Sequence, residues 1–148
     1  MGITNKIKIL TIPVQAGLIR NMYPNTHLET WNGQSLVWNH TVSPSPLGDD
    51  YKIRLEYNVN DRPNLYVINP KPLALAKNKT ELPHCFDQKT QRLCLYFTPD
   101  KKEWNKSMAL TKTIIPWAYE WLYHYEIWLG TGEWTGGGIH LTSNKKKK

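Results

Sequence analysis

The stretch YKIRLEYNV, residues 51–59, decides the fold. Tyr51, Ile53, Leu55, Tyr57 and Val59 alternate with Lys52, Arg54, Glu56 and Asn58. Successive side chains of a strand point to opposite faces, so this two-residue period predicts a strand with one face buried and the other in water. One-sided burial is the habit of antiparallel sheets, because parallel sheets are covered on both faces. Upstream, SLVWNHTV (residues 35–42) reads as a second strand, and the SPSPLGDD between the two carries the prolines, glycine and aspartates of a connection. Downstream, LYVIN (residues 65–69), bounded by NDRPN and NPKP, reads as a third. The three make an antiparallel meander.

The flanks of the meander read as helices. In TIPVQAGLIRNMYP (residues 11–24), Thr11 can cap and Pro13 can sit in a first turn. Leu18, Ile19 and Met22 supply approximate helical spacing before Pro24 forbids continuation. From Thr113 onward the period changes: Trp117, Trp121, Leu122, Tyr125, Trp128 and Leu129 follow the helical repeat, with Glu120, His124 and Glu126 among the polar remainder. Pro116 suits the first turn of this helix and Gly130 or Gly132 its end. The predicted class is therefore α+β, with the aromatic-rich helix covering the face of Ile53 and Leu55. The glycine-rich GTGEWTGGG (residues 130–138) follows a helix and lacks the Lys-Ser/Thr of a phosphate loop, so it reads as a flexible exit.

Composition narrows the function. A chain of 148 residues fits one domain able to bury a sizeable core. The N-terminal twenty residues mix lysines with apolar residues and show no cleavage site, and no segment approaches a membrane span, which points to a cytoplasmic protein. The net charge is +7, but four of those charges are the lysines at 145–148. Such a run reads as a solvated, disordered tail, and the rest of the chain shows no basic stripe interleaved with aromatics, which argues against a nucleic-acid partner. Five of the seven tryptophans, Trp104, Trp117, Trp121, Trp128 and Trp134, fall late in the chain, a crowding that points first to a core.

The two cysteines, Cys85 and Cys94, lie in LPHCFDQKTQRLCLYFTP (residues 82–99). In a reducing compartment they are expected to stay free. Residues 70–114 show little periodicity, and so long a connection is usually functional or contains further structure. Within it LCLYF anchors Cys94 between Leu93 and Leu95, which point away from it if the backbone is extended. On pattern alone Cys94 reads equally as a thiol presented at a cleft or as one more small buried hydrophobe.

An N-terminal helix, a meander, a proline-rich strand exit, a histidine ten residues before a Leu-Cys-Leu, and then a helix together resemble the ubiquitin-conjugating enzyme (UBC) superfamily. The run from LPH through LCLYFTP and EW to TIIPWAYEWLYHYEIWLGTGEWTGGG is similar to bacterial stand-alone members found in antiphage cyclic-oligonucleotide signalling (CBASS) operons. The resemblance implies a single UBC-like domain over residues 1–144, a tail at 145–148, Cys94 as nucleophile and His84 in the site. It also implies a function: a thioester between Cys94 and a protein C-terminus, that of a cGAS-like nucleotidyltransferase, promotes transfer to an amine in antiphage defence. No ATP-binding activating domain is read in the chain, so a separate activating enzyme is a further expected partner. Thioester exchange on a thiol needs no metal or nicotinamide cofactor, and none is expected. The alternative reading is a non-catalytic UBC-like binding module.

The family's triplet begins His-Pro-Asn, whereas here Cys85 and Phe86 follow His84, so the asparagine that steadies the oxyanion has no counterpart. Backbone amides near Cys94 or the His84 ring are the expected substitutes. Cys85 takes the place of a turn-forming proline and reads as structural. Arg92, Lys101 and Lys102 are close enough in sequence to favour a thiolate, and Asp87, Asp100 and Glu103 to assist an attacking amine, with none singled out. The lysine tail lies beyond the glycine run and has no role in this chemistry. Deleting residues 145–148 is expected to leave thioester formation intact while weakening salt-sensitive attraction to nucleic acid; loss of the adduct in the truncated chain would place the tail in the site.

Overall fold

The computed structural model describes residues 8–96 and 104–136. Lys101, Lys102, Asp100, Glu103 and the 145–148 tail lie outside the described residues. Helix α1 (Ile12–Met22) starts where Thr11 Oγ1 accepts the Val14 N–H at 3.4 Å, with Pro13 in the first turn. The meander follows as β1 (His27–Trp31), β2 (Ser35–Val42), β3 (Tyr51–Asn58) and β4 (Asn64–Asn69). A short ribbon, β5 (Cys85–Asp87) and β6 (Arg92–Leu93), completes the sheet before a 3₁₀ turn at Leu110–Lys112 and helix α2 (Ile114–Thr131). The sheet is antiparallel throughout, in the order β1-β2-β3-β4-β6-β5. This α+β arrangement is consistent with a UBC-like fold.

The alternation of β3 is realised: Tyr51, Ile53, Leu55 and Tyr57 are buried, while Lys52 and Asn58 are exposed and Arg54 and Glu56 half-exposed. Ile53 and Leu55 share one core cluster with Trp121, Leu122, Tyr125 and Trp128 of α2. Glu126 ties the helix to the sheet, its carboxylate accepting from the Tyr51 hydroxyl at 2.6 Å and the Asp49 N–H at 2.9 Å. Gly48 permits that approach, because a Cβ there would stand 2.5 Å from a Glu126 oxygen. At its other end α2 closes on Gly132, left-handed at φ 81, whose N–H returns to Trp128 O.

Three features depart from the expectations. On α1 the buried face is Ile12, Gln15, Ala16 and Ile19, whereas Leu18 and Met22 are 38% and 54% exposed. A glutamine occupies the core side because its amide has partners there: Nε2 donates to Met108 O and Oε1 accepts from Leu110 N, both at 2.9 Å. Strand β1 was not anticipated, although Asn32-Gly33, at φ 49 and 65, makes the turn within the three-residue connection 32–34 that joins it to β2. The segment after α2 is no loose exit as far as Gly136: His124 Nδ1 and Thr135 Oγ1 are 2.8 Å apart, and Trp134 folds back onto Trp121, ring centroids 5.5 Å apart.

Leu55 is fully buried in this cluster. Leu55→Ala is expected to lower unfolding stability by about 2–5 kcal/mol, the range for a buried leucine truncated in a packed core. Chemical denaturation reads this directly, and a loss under about half a kcal/mol would mean that the β3 face is not the core face.

Candidate active site

The site is built on the β5–β6 ribbon at one edge of the sheet. Direct cross-strand partners share a face, and the pair Cys85↔Leu93 points into the core, where both side chains join the central cluster. Phe86 and Arg92 lie on the other face, with the guanidinium 5.0 Å from the ring centroid. Cys94 follows Leu93 and is absent from the core cluster, while Leu95 packs against that cluster. The two leucines thus anchor the segment as its pattern suggested.

His84 and Cys94 meet through the backbone. The Cys94 N–H donates to His84 O at 3.0 Å, and the indole N–H of Trp121 donates to the same oxygen, also at 3.0 Å. His84 holds φ 46, in the left-handed region that residues other than glycine adopt uncommonly. Its ring lies against Trp134, centroids 5.1 Å apart and planes 28° from parallel. The His84 carbonyl thereby ties the loop both to Cys94 and to α2. The Cys94 amide, one of the donors anticipated for an oxyanion, is already occupied by that carbonyl.

Both cysteines are free thiols, each 8% exposed. Burial pushes the Cys94 thiol up to about 12; the neighbouring Cys85 adds to the rise and the Arg92 charge opposes it without prevailing. Cys85 is pushed up to about 11, again chiefly by burial. Its sulfur donates to Asp87 O at 3.3 Å and Arg92 O at 3.4 Å, two carbonyls of its own ribbon. The Cys94 sulfur points toward Tyr96 O at 3.5 Å. Asp87, one of the carboxylates expected to serve an amine, has its carboxyl held below the usual range, first by a hydrogen bond from Thr90. The Asp87 carbonyl lies 3.3 Å from the Cys85 sulfur, on the neighbouring thiol's side of the ribbon.

Two residues that the sequence reading passed over hold the ribbon in place. Gln91, buried and at φ 58, accepts from Leu73 N at 2.7 Å and donates to Val67 O and Pro70 O at 2.9 and 3.1 Å. Gln88 pairs both ways with Leu82, accepting from its N–H at 2.8 Å and donating to its carbonyl at 2.9 Å. Among the described residues no three His, Cys, Asp or Glu side chains are grouped to hold a metal ion, and no helix is long and apolar enough to cross a membrane.

The arrangement places two neutral, shielded sulfurs on the ribbon, and that of Cys94 lies beside a backbone junction that helix and ribbon share. No curated protein matches the chain. A family model described as Type II CBASS E2 protein matches residues 15–141, most of its length. Because that match spans most of the chain, the chain belongs to the Type II CBASS E2 family.

Proposed function

We propose that this protein is a ubiquitin-conjugating-enzyme-like acyl carrier, a single domain over residues 1–144 acting in the cytoplasm, with Cys94 as its nucleophile. The Cys94 thiol gives up its proton, and the thiolate attacks the activated carbonyl of a protein C-terminus. A carbon–sulfur bond forms as the donor's leaving group departs. A neutral amine then attacks the thioester, the carbon–nitrogen bond forms, and Cys94 leaves as thiolate and is reprotonated. The C-terminus is that of a cGAS-like nucleotidyltransferase, and a separate activating enzyme supplies the activated carbonyl.

The observation that supports Cys94 over its neighbour is the asymmetry of the ribbon. Cys85 sits in the core with its sulfur turned to two carbonyls, whereas Cys94 lies outside the core cluster at the strand exit. The raised proton affinity of the thiol works against loading at neutral pH, because the thiolate is the nucleophile and little of it forms there, so the donor must arrive already activated. The same burial favours the second reading, a UBC-like binding module, as does Phe86 at the position of the family's asparagine.

Intact mass measured after incubation with the activated donor separates the two. Cys94→Ala is expected to abolish a reductant-sensitive adduct, Cys94→Ser to carry a more stable ester, and Cys85→Ala to keep most of the adduct. His84→Ala, which keeps the carbonyl but removes the ring from Trp134, is expected to slow loading without abolishing it. An adduct undiminished in Cys94→Ala would move the nucleophile elsewhere, and persistent absence of any adduct would favour the binding module.

The pH dependence follows from the cause of the shift. Below its pKa a thiol's ionised fraction rises about tenfold per pH unit, so alkylation of Cys94 in a Cys85→Ala background is expected to climb without levelling between pH 7 and pH 10. A plateau near pH 8.5–9 would show a thiol ionising at its ordinary value.

A further inference from the structure

We infer that Trp121 is a positioning residue for the Cys94 thiol, acting through the His84 carbonyl that the Trp121 indole and the Cys94 amide share. The inference rests on Cys94 being the nucleophile. A carbonyl oxygen has two lone pairs, and His84 O accepts the Cys94 N–H and the Trp121 Nε1–H, both at 3.0 Å. The ribbon supplies one of these bonds and α2 the other. Without the second, the carbonyl would keep its bond to the Cys94 amide but lose its tie to α2, at a residue whose φ of 46 lies in the left-handed region.

Trp121 is well placed to impose that orientation. It is 4% exposed and rigidly held: its ring stacks on Tyr125 with centroids 5.5 Å apart and planes 8° from parallel, and Trp134 closes its other surroundings at 5.5 Å. Tyr125 is itself fixed, its hydroxyl donating to Ala74 O at 2.6 Å. A stack of aromatic rings on one helix therefore terminates in a single N–H aimed at the junction that sets where the Cys94 backbone lies. Reacting groups held in a near-attack geometry lose rate steeply when displaced, so a bond that acts only on the position of the thiol should alter rate more than binding of the donor.

The test replaces the N–H while keeping the ring. Trp121→Phe and, by nonsense suppression, benzothienylalanine at position 121, which is close in shape to tryptophan and has sulfur in place of the N–H, are prepared with Cys85→Ala so that one thiol reports. Three quantities are read: the thermal midpoint, the pH profile of Cys94 alkylation by iodoacetamide, and single-turnover loading against donor concentration. The expected result for the benzothienyl variant is a folded protein with an altered alkylation profile. Loading should be slower by about fivefold to tenfold at saturating donor, with half-saturation unchanged, as for loss of one buried hydrogen bond that fixes a reacting group. An alkylation profile that superimposes on that of the parent overturns the inference, because Trp121 would then only pack. Alkylation needs no acyl donor, so it decides the role of Trp121 even where the parent protein never loads, a result that would instead overturn the acyl-carrier reading.

Discussion

Between β4 and β5 the chain runs for some fifteen residues without a strand or helix, and its buried backbone groups must still be paired, since an unpaired one costs about as much as a lost hydrogen bond. Side chains supply the partners that a ladder would otherwise provide. Gln91 serves Val67, Pro70 and Leu73, Tyr125 serves Ala74, Gln88 serves Leu82 at both its donor and acceptor, and Trp121 serves His84. The crossing is thereby stitched at four points, two to the ribbon's own turn and two to α2. Its last point is the residue that holds Cys94. The position of the thiol depends on this chain of bonds more than on the two-residue strand that precedes it.

Burial and reactivity pull against each other at that thiol. Water would favour the thiolate, and the shielding that removes it pushes the proton affinity up to about 12, beyond what the Arg92 charge can offset. At neutral pH the thiol is therefore held in its protonated form. Among the described residues no group brings the Cys94 thiol below its ordinary range, and Arg92 is engaged with Asn64 Oδ1 at 3.1 Å and the face of Phe86. On the proposed acyl-carrier reading, the site contributes a sulfur held in one place and the donor brings the activation.

The parts of the fold that were legible in sequence are those where burial follows a period. The odd-numbered residues of β3, the bounds of β2, and the Trp117–Leu129 face of α2 are cases where one repeating pattern decides. Where a polar residue has a private partner the pattern misleads. Gln15 reads as surface and sits in the core, which rotates the buried face of α1 away from Leu18 and Met22. Strands β5 and β6 are too short for any period to show, and β1, exposed along most of its length, lacks an alternating face; its one sign was the Asn32-Gly33 turn. For the site, the ten-residue spacing of His84 and Cys94 was legible by resemblance. The means by which they meet was not, because a backbone carbonyl carries no sequence signature.

The late tryptophans read as core, and their indole N–H groups give that core a second property. A buried indole has one donor to place, and three tryptophans of this chain use it to fix a polar contact at a defined point. Trp38 donates to Thr26 Oγ1, Trp104 to Thr113 Oγ1 at 3.0 Å, and Trp121 to His84 O. The first joins β2 to the segment leading into β1, the second holds the residue that opens α2, and the third ties α2 to the ribbon. A leucine-filled core of equal volume would leave these junctions free to slide. Aromatic crowding in this chain therefore converts non-directional burial into directional restraint, and the most consequential of those restraints falls at the carbonyl beside the thiol.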